Sequence, residues 1–232
     1  MTEQLKIDFD KIIKTSGFSD SDIRLKKEYL DKFIKNGFPN RKLENWKFSD
    51  ISQIIEKNIG KLSFYNDDLS SNKVDTSIFI DEFEHNKIVF INGNVEKIDF
   101  RYEDKDKIEI KDNFKLNNKF DKENSLIDLN NAFTSKSYKI SVKKDYSLKK
   151  PLIVYHTTNN KIKFKNINLK LEFCLEQNSF LRIIDFFNDN TEKNFINIFY
   201  NFDLKKGAIL KNYKIDKIQN ENIKYSFNNI EQ

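Results

Sequence analysis

The chain has 232 residues but only one cysteine, two prolines, five glycines, one tryptophan and one methionine. The lone thiol, Cys174, excludes a disulfide within the chain and any zinc or iron–sulfur centre held by several cysteines. There is no glycine-rich phosphate loop, no Gly-x-Ser-x-Gly elbow and no paired zinc-ligand motif, so the common forms of nucleotide binding and nucleophilic catalysis find no footing. Long apolar runs are missing too. Nothing approaches the span needed to cross a bilayer, and residues 1–10 lack the apolar core of a signal peptide. These absences predict a soluble, cytoplasmic protein in a reducing compartment.

Lys, Asn, Ile and Phe are abundant instead. There are 41 basic and 36 acidic residues, a net charge of +5, interleaved along the whole chain. Interleaving describes a solvated surface better than a nucleic-acid footprint, which concentrates its positive charge.

The apolar pattern changes along the chain. Leu5, Phe9, Ile12 and Ile13 mark one helical face that ends at Gly17. Residues 19–22, Ser-Asp-Ser-Asp, offer capping oxygens for a second helix with an Ile23, Leu30, Phe33 and Ile34 stripe. Gly37 stops that helix and Pro39 prevents its return. A third short helix is expected after Ser49, with Ile51, Ile54 and Ile55 on its apolar side.

Residues 61–85 read as a polar loop. From Lys87 the period becomes two: the run at 88–91 meets Asn92-Gly93, a strong hairpin signal, and resumes at 95–98. Strand patterns then recur from about Leu126, at 138–142, 152–156, 167–175, 180–187, 195–204, 208–215 and 223–230. They suit stacked strands, in a sandwich or a parallel β-helix, and the pattern alone does not choose between them. The expected organisation is a helical region at 1–60, a linker and hairpin at 61–124, and stacked strands at 125–232.

Candidate chemical groups each have a plain structural reading. Cys174 falls in the polar phase of its strand with Lys170, Glu172 and Glu176, and one thiolate cannot hold a cluster alone. His85 sits in the polar loop near Glu82 and Glu84, and His156 ends a strand; neither has metal ligands at suitable spacing. Residues 143–150, the most basic stretch with Tyr146 inside, read as a turn before a strand rather than a nucleic-acid patch. Arg41, Glu44 and Trp46 read as a packing anchor, Trp46 buried beneath the strands and the two charges pairing or capping. No catalytic, cofactor-binding or metal residue is assigned.

One stretch is distinctive. Residues 37–51, Gly-Phe-Pro-Asn-Arg-Lys-Leu-Glu-Asn-Trp-Lys-Phe-Ser-Asp-Ile, hold one of the prolines and the only tryptophan. The string resembles the N-terminal signature of the SufD family, scaffold subunits of the Suf iron–sulfur cluster assembly machinery, with Phe48 and Ser49 where Tyr and Thr are usual. Five further segments resemble the family in order: 86–94 with Asn92-Gly93, 129–133 (Leu-Asn-Asn-Ala-Phe), 150–155 beginning Lys-Pro, 183–187 with Asp185 for the usual Glu, and 206–210 (Lys-Gly-Ala-Ile-Leu).

The resemblance implies a mainly β fold in which a small helical domain precedes an incomplete right-handed parallel β-helix. It implies a non-enzymatic scaffold of the SufB–SufC–SufD complex, with SufB as partner and the iron–sulfur cluster as the product of the complex. No cofactor bound by this chain is expected, nor nucleic acid or membrane. The family's later rungs, its C-terminal helices, the Cys and His positions of cluster building and the SufC-docking region have no counterpart here, so the chain is expected to be C-terminally truncated and no functional residue is carried over. The strand pattern still running at Ile223, Tyr225, Phe227 and Ile230 predicts an open stack end prone to self-association. The rival reading is a stand-alone β-rich module that binds nucleic acid or an acidic protein through lysine-rich faces.

Overall fold

A computed structural model describes residues 1–65, 75–112, 124–159, 162–189, 193–218 and 222–232. The parts of the expected linker at 66–74 and 113–123 lie outside these residues. Three helices open the chain: α1 (Thr2–Thr15), α2 (Asp20–Asn36) and α3 (Ile51–Asn58). The capping of α2 is as the sequence predicts, while α3 takes Asp50, one residue past the expected Ser49, as its cap. Ser19 accepts from the Asp22 amide at the head of α2, Asp50 accepts from the Gln53 amide at the head of α3, and α2 ends on Gly37. Between Gly37 and α3 the chain folds back on itself, and the Ile51 amide donates to the Pro39 carbonyl at 2.9 Å.

Among the described residues ten strands follow: β1 (Asn86–Ile91), β2 (Asn94–Asp99), β3 (Ile108–Asp112), β4 (Ser137–Val142), β5 (Leu152–Thr157), β6 (Asn166–Leu175), β7 (Phe180–Asp189), β8 (Phe195–Leu204), β9 (Ile209–Ile218) and β10 (Ile223–Glu231). A fourth helix, α4 (Ser125–Phe133), lies between β3 and β4. The strands form two five-stranded sheets, ordered β2-β1-β5-β7-β9 and β10-β8-β6-β4-β3. Pairing is parallel except for β1 with β2 and β3 with β4. The hairpin β1–β2 turns on Asn92 (φ 52°) and Gly93 (φ 82°), the positive-φ pair that the Asn-Gly signal demands.

From β4 to β10 consecutive strands alternate between the sheets, and each pairs in parallel with the strand two places on. Asn166, Phe195 and Ile223 stand side by side in the second sheet, at intervals of 29 and 28 residues. Phe180 and Ile209 do so in the first, at an interval of 29.

Three apolar clusters hold these layers. The largest fills the space between the sheets, with Ile88, Val154, Ile183, Leu171, Phe173, Ile198 and Phe202 at 0–1% exposure. A second joins the helices to the outer face of the second sheet, where Phe33, Phe38 and Phe195 meet edge to face. A third covers the outer face of the first sheet, around Ile153, Tyr155 and Phe186.

The architecture is mixed α/β, with a helical N-terminal region and two mostly parallel sheets. The expectation of strands alone from Leu126 is corrected by α4. Asn124 caps it by accepting from the Leu126 amide, and its residues 125–133 are nearly all buried. The Asn130 amide donates to the Leu169 and Asn197 carbonyls, and Asn197 returns a bond to the Leu126 carbonyl, so α4 is stitched to the outer face of the second sheet. No helix among the described residues is long and apolar enough to cross a membrane.

Candidate functional site

The densest cluster of chemistry lies between the sheets. Inward positions of β5, β7 and β8 are apolar except where His156, Asp185 and Tyr200 replace the pattern, each no more than 4% exposed. His156 Nε2 stands 2.7 Å from Asp185 Oδ1 and 3.1 Å from the Tyr200 hydroxyl. The imidazole is stacked between Phe90 (5.3 Å) and Phe187 (6.0 Å), which fixes its plane. Neither Asp185 oxygen has a well-aligned hydrogen bond, so the close His–Asp approach is chiefly electrostatic.

Toward the edge strands β9 and β10 polar side chains follow, with Lys214 and Asp216 exposed. Lys224 pairs with Asp216 and lies 4.7 Å from the Phe187 ring centre. Lys214 donates to Ser226 and Asn228 and lies 5.0 Å from the Tyr200 ring centre.

This environment sets the charge states. Burial raises the Asp185 pKa, but His156, Lys224 and the Tyr200 hydroxyl favour the carboxylate more, and the net displacement is below the usual range. Burial and the adjacent Asp185 push Tyr200 well above 10. Lys214 is lowered, mainly by burial. Asp185 is therefore an interior anion clamped by an imidazole, a phenol and an ammonium. A space of about 10 Å³ beside His156 has room for about one water. A group so enclosed holds strands together.

A second buried ionic element joins α2 to α4. Lys26, at 0% exposure, donates to the carbonyls of Asn131 (3.0 Å), Ala132 (3.3 Å) and Thr134 (2.7 Å). These carbonyls lie at the negative end of α4, where a cation is favoured. Burial lowers the Lys26 pKa to about 7, with nearby Lys170 adding to the shift. Lys170, whose ammonium reaches Asn131 Oδ1 at 3.4 Å, is itself lowered to about 8 by burial.

The groups singled out from sequence fall as follows. Cys174 lies on β6, in register with Ser141 and Asp203, half-buried, and its pKa is raised by burial. His85 is not in a solvated loop: it is 3% exposed, with Nε2 2.8 Å from the Tyr155 hydroxyl. His156 lies within β5, and its partner Asp185 went unassigned although it stands in the inward phase with Leu181, Ile183 and Phe187.

Residues 143–150 do form a turn, with Tyr146 and Leu148 buried, and its lysines are neutralised. Lys143 pairs with Glu176, Lys149 with Asp104 and Lys150 with Glu84. Trp46 is partly buried and packs 5.7 Å from Tyr225 of β10, whereas Arg41 and Glu44 are exposed and form no ion pair with each other. Among the described residues no three His, Cys, Asp or Glu side chains gather as a metal site would.

A cleft of about 740 Å³ opens between the helices and the β1–β2 hairpin, lined by Phe18, Asp22, Asn94, Glu96 and Asn168. Tyr65 and Asp112 also line it. No family model matches the chain, and no curated protein matches it either.

Proposed function

We propose that the chain is a SufD-like scaffold subunit acting in iron–sulfur cluster assembly, and that its two sheets are the opening coils of a right-handed parallel β-helix. The observation that carries this reading is the strand order. Seven consecutive strands, β4 to β10, pass alternately from one sheet to the other, and from β6 onward each adds in parallel to the strand laid down two places before. An antiparallel sandwich, the other architecture open to the sequence, pairs its neighbours by hairpins. Coils of 28 or 29 residues at Asn166, Phe195 and Ile223 are what a wound chain produces.

The segments that resemble the family fall at joints of this architecture. Residues 37–51 form the folded-back link between α2 and α3, and Asn92-Gly93 turns the hairpin. Residues 129–133 lie in α4, Pro151 precedes β5, Asp185 occupies the centre of β7, and Gly207 marks the corner into β9. The chemistry also favours a scaffold over a catalyst, because His156, Asp185, Tyr200 and Lys26 are enclosed and spent on each other or on the backbone. The cluster is then the cargo of the assembly, and SufB is the partner implied. The test is co-expression of the tagged chain with SufB and SufC. Retention of SufB through stringent washing supports the reading, and SufB passing through unretained overturns it.

A further inference from the structure

The outer face of the first sheet carries an apolar row in strict register: Val89 of β1, Tyr155 of β5, Phe186 of β7 and Ile215 of β9. Only part of it is covered. Residues 75–85 cross it as a strap, with Ile78 buried and Phe79 packed 5.0 Å from Tyr155. Ile215, farther along the row, is 40% exposed.

Tyr155 is the fastening. Its hydroxyl accepts from the Ile80 amide at 3.1 Å and lies 2.8 Å from His85 Nε2, while His85 Nδ1 lies 2.8 Å from the Phe83 carbonyl. One proton arrangement satisfies every group. Neutral His85 donates from Nδ1 to Phe83 and accepts at Nε2 from Tyr155, whose oxygen accepts from Ile80. A second proton on the imidazole breaks this chain, because Nε2 then also points a hydrogen at the Tyr155 oxygen and the phenol hydrogen loses its acceptor.

We propose that residues 75–85 are a proton-sensitive strap, closed over the first sheet while His85 is neutral and lifted when the imidazole is protonated. The groups around the fastening do not cancel this. Asp81 on the strap and Asp99 on β2 favour the imidazolium, and Lys87 on β1 opposes it. Glu84, beside His85 in sequence, is engaged by Lys150, and Lys97 of β2 lies 5.5 Å from the Phe79 ring centre. Lys217 of β9 lies 5.4 Å from the Phe186 ring centre, adding positive charge on the same face. Burial, the leading influence, keeps His85 below 6.5 in the closed state. The freed imidazole regains an ordinary value, so acid favours the open form. Opening uncovers Ile153, Tyr155 and Phe186 and extends the exposed apolar row from β9 across to β5.

Hydrogen exchange with peptide readout, corrected for intrinsic rate, tests this on the whole chain between pH 7.5 and pH 5. Peptides spanning 76–84 should lose protection by up to about tenfold per pH unit below about 6.5, while β7 and β8 hold theirs. His85→Gln should remove the pH slope, and Tyr155→Phe should leave the strap open at both pH values. Flat exchange in the unaltered chain, the same slope in His85→Gln, or parallel loss of protection in β7 and β8 would each overturn the proposal.

Discussion

Asp185→Ala removes the one carboxylate buried among His156, Tyr200 and the nearby Lys224. The buried His156 imidazole and Tyr200 hydroxyl then lose the anion beside them, and each such loss costs about 1–3 kcal/mol. Removing one partner of the buried His156–Asp185 pair brings the expected total to about 3–5 kcal/mol, with Lys224 still held by Asp216. For a chain of this length that corresponds to a fall in Tm of roughly 6–20 °C.

The matched double variant, Asp185→Leu with His156→Phe, replaces the pair by packed hydrocarbon. It should cost much less than the sum of the single changes, because the desolvation of both groups is removed along with their attraction. Acid adds a second signature. Asp185 is held below its ordinary value of 3.8, so its contribution is complete above that pH and is lost as pH falls through the still lower folded-state value. Urea and thermal unfolding of Asp185→Ala and of the four proteins of this cycle measure all of this. A single Asp185→Ala cost below about 1 kcal/mol, or additive effects in the double variant, would refute the reasoning.

Other expectations are equally concrete. Lys26→Met removes the cation from three carbonyls at the end of α4 and should destabilise by about 2–4 kcal/mol in chemical denaturation. In the unaltered chain the lowered Lys26 pKa makes the unfolded state the stronger proton binder between about 7 and 10.5, so stability should rise with pH from 7 to 9 by up to about 1.4 kcal/mol per unit, a rise reduced in Lys26→Met. Alkylation of Cys174 at neutral pH should be slower than that of a free thiol, and a faster reaction would contradict its burial-raised pKa. Tyr213 and Ile215 on β9 are 52% and 40% exposed, and changing both to Lys should reduce self-association in light scattering without altering the circular dichroism of the strands.

The helices and the hairpin were legible because their signals are local. Ser19, Asp50 and Gly37 cap where capping chemistry places them, and Asn92-Gly93 turns where only positive φ will do. Helix α4 was not legible, because it is short and buried on almost every side, and its apolar residues merged with the strand pattern beyond them. Strand β3 was missed because its sequence, Ile-Glu-Ile-Lys-Asp, is short and polar.

Alternation is the same in a sandwich strand and in a wound one, so the sheet order was hidden as well. The corners that distinguish the two are partly disguised: Asp145, Asn178 and Gly207 are familiar positive-φ residues, but Phe164 and Lys193 are not. The buried ion cluster shows the same limit. Asp185 interrupts an apolar phase visibly, whereas its approach to His156 depends on the register of β5 against β7, in which Val154 and not His156 is its direct neighbour.

The central claim is tested most directly by titrating purified SufB into the purified chain and following the sedimentation of both. The account predicts a saturable heteromeric species that forms at the expense of chain self-association; two components that sediment independently at every ratio would contradict it.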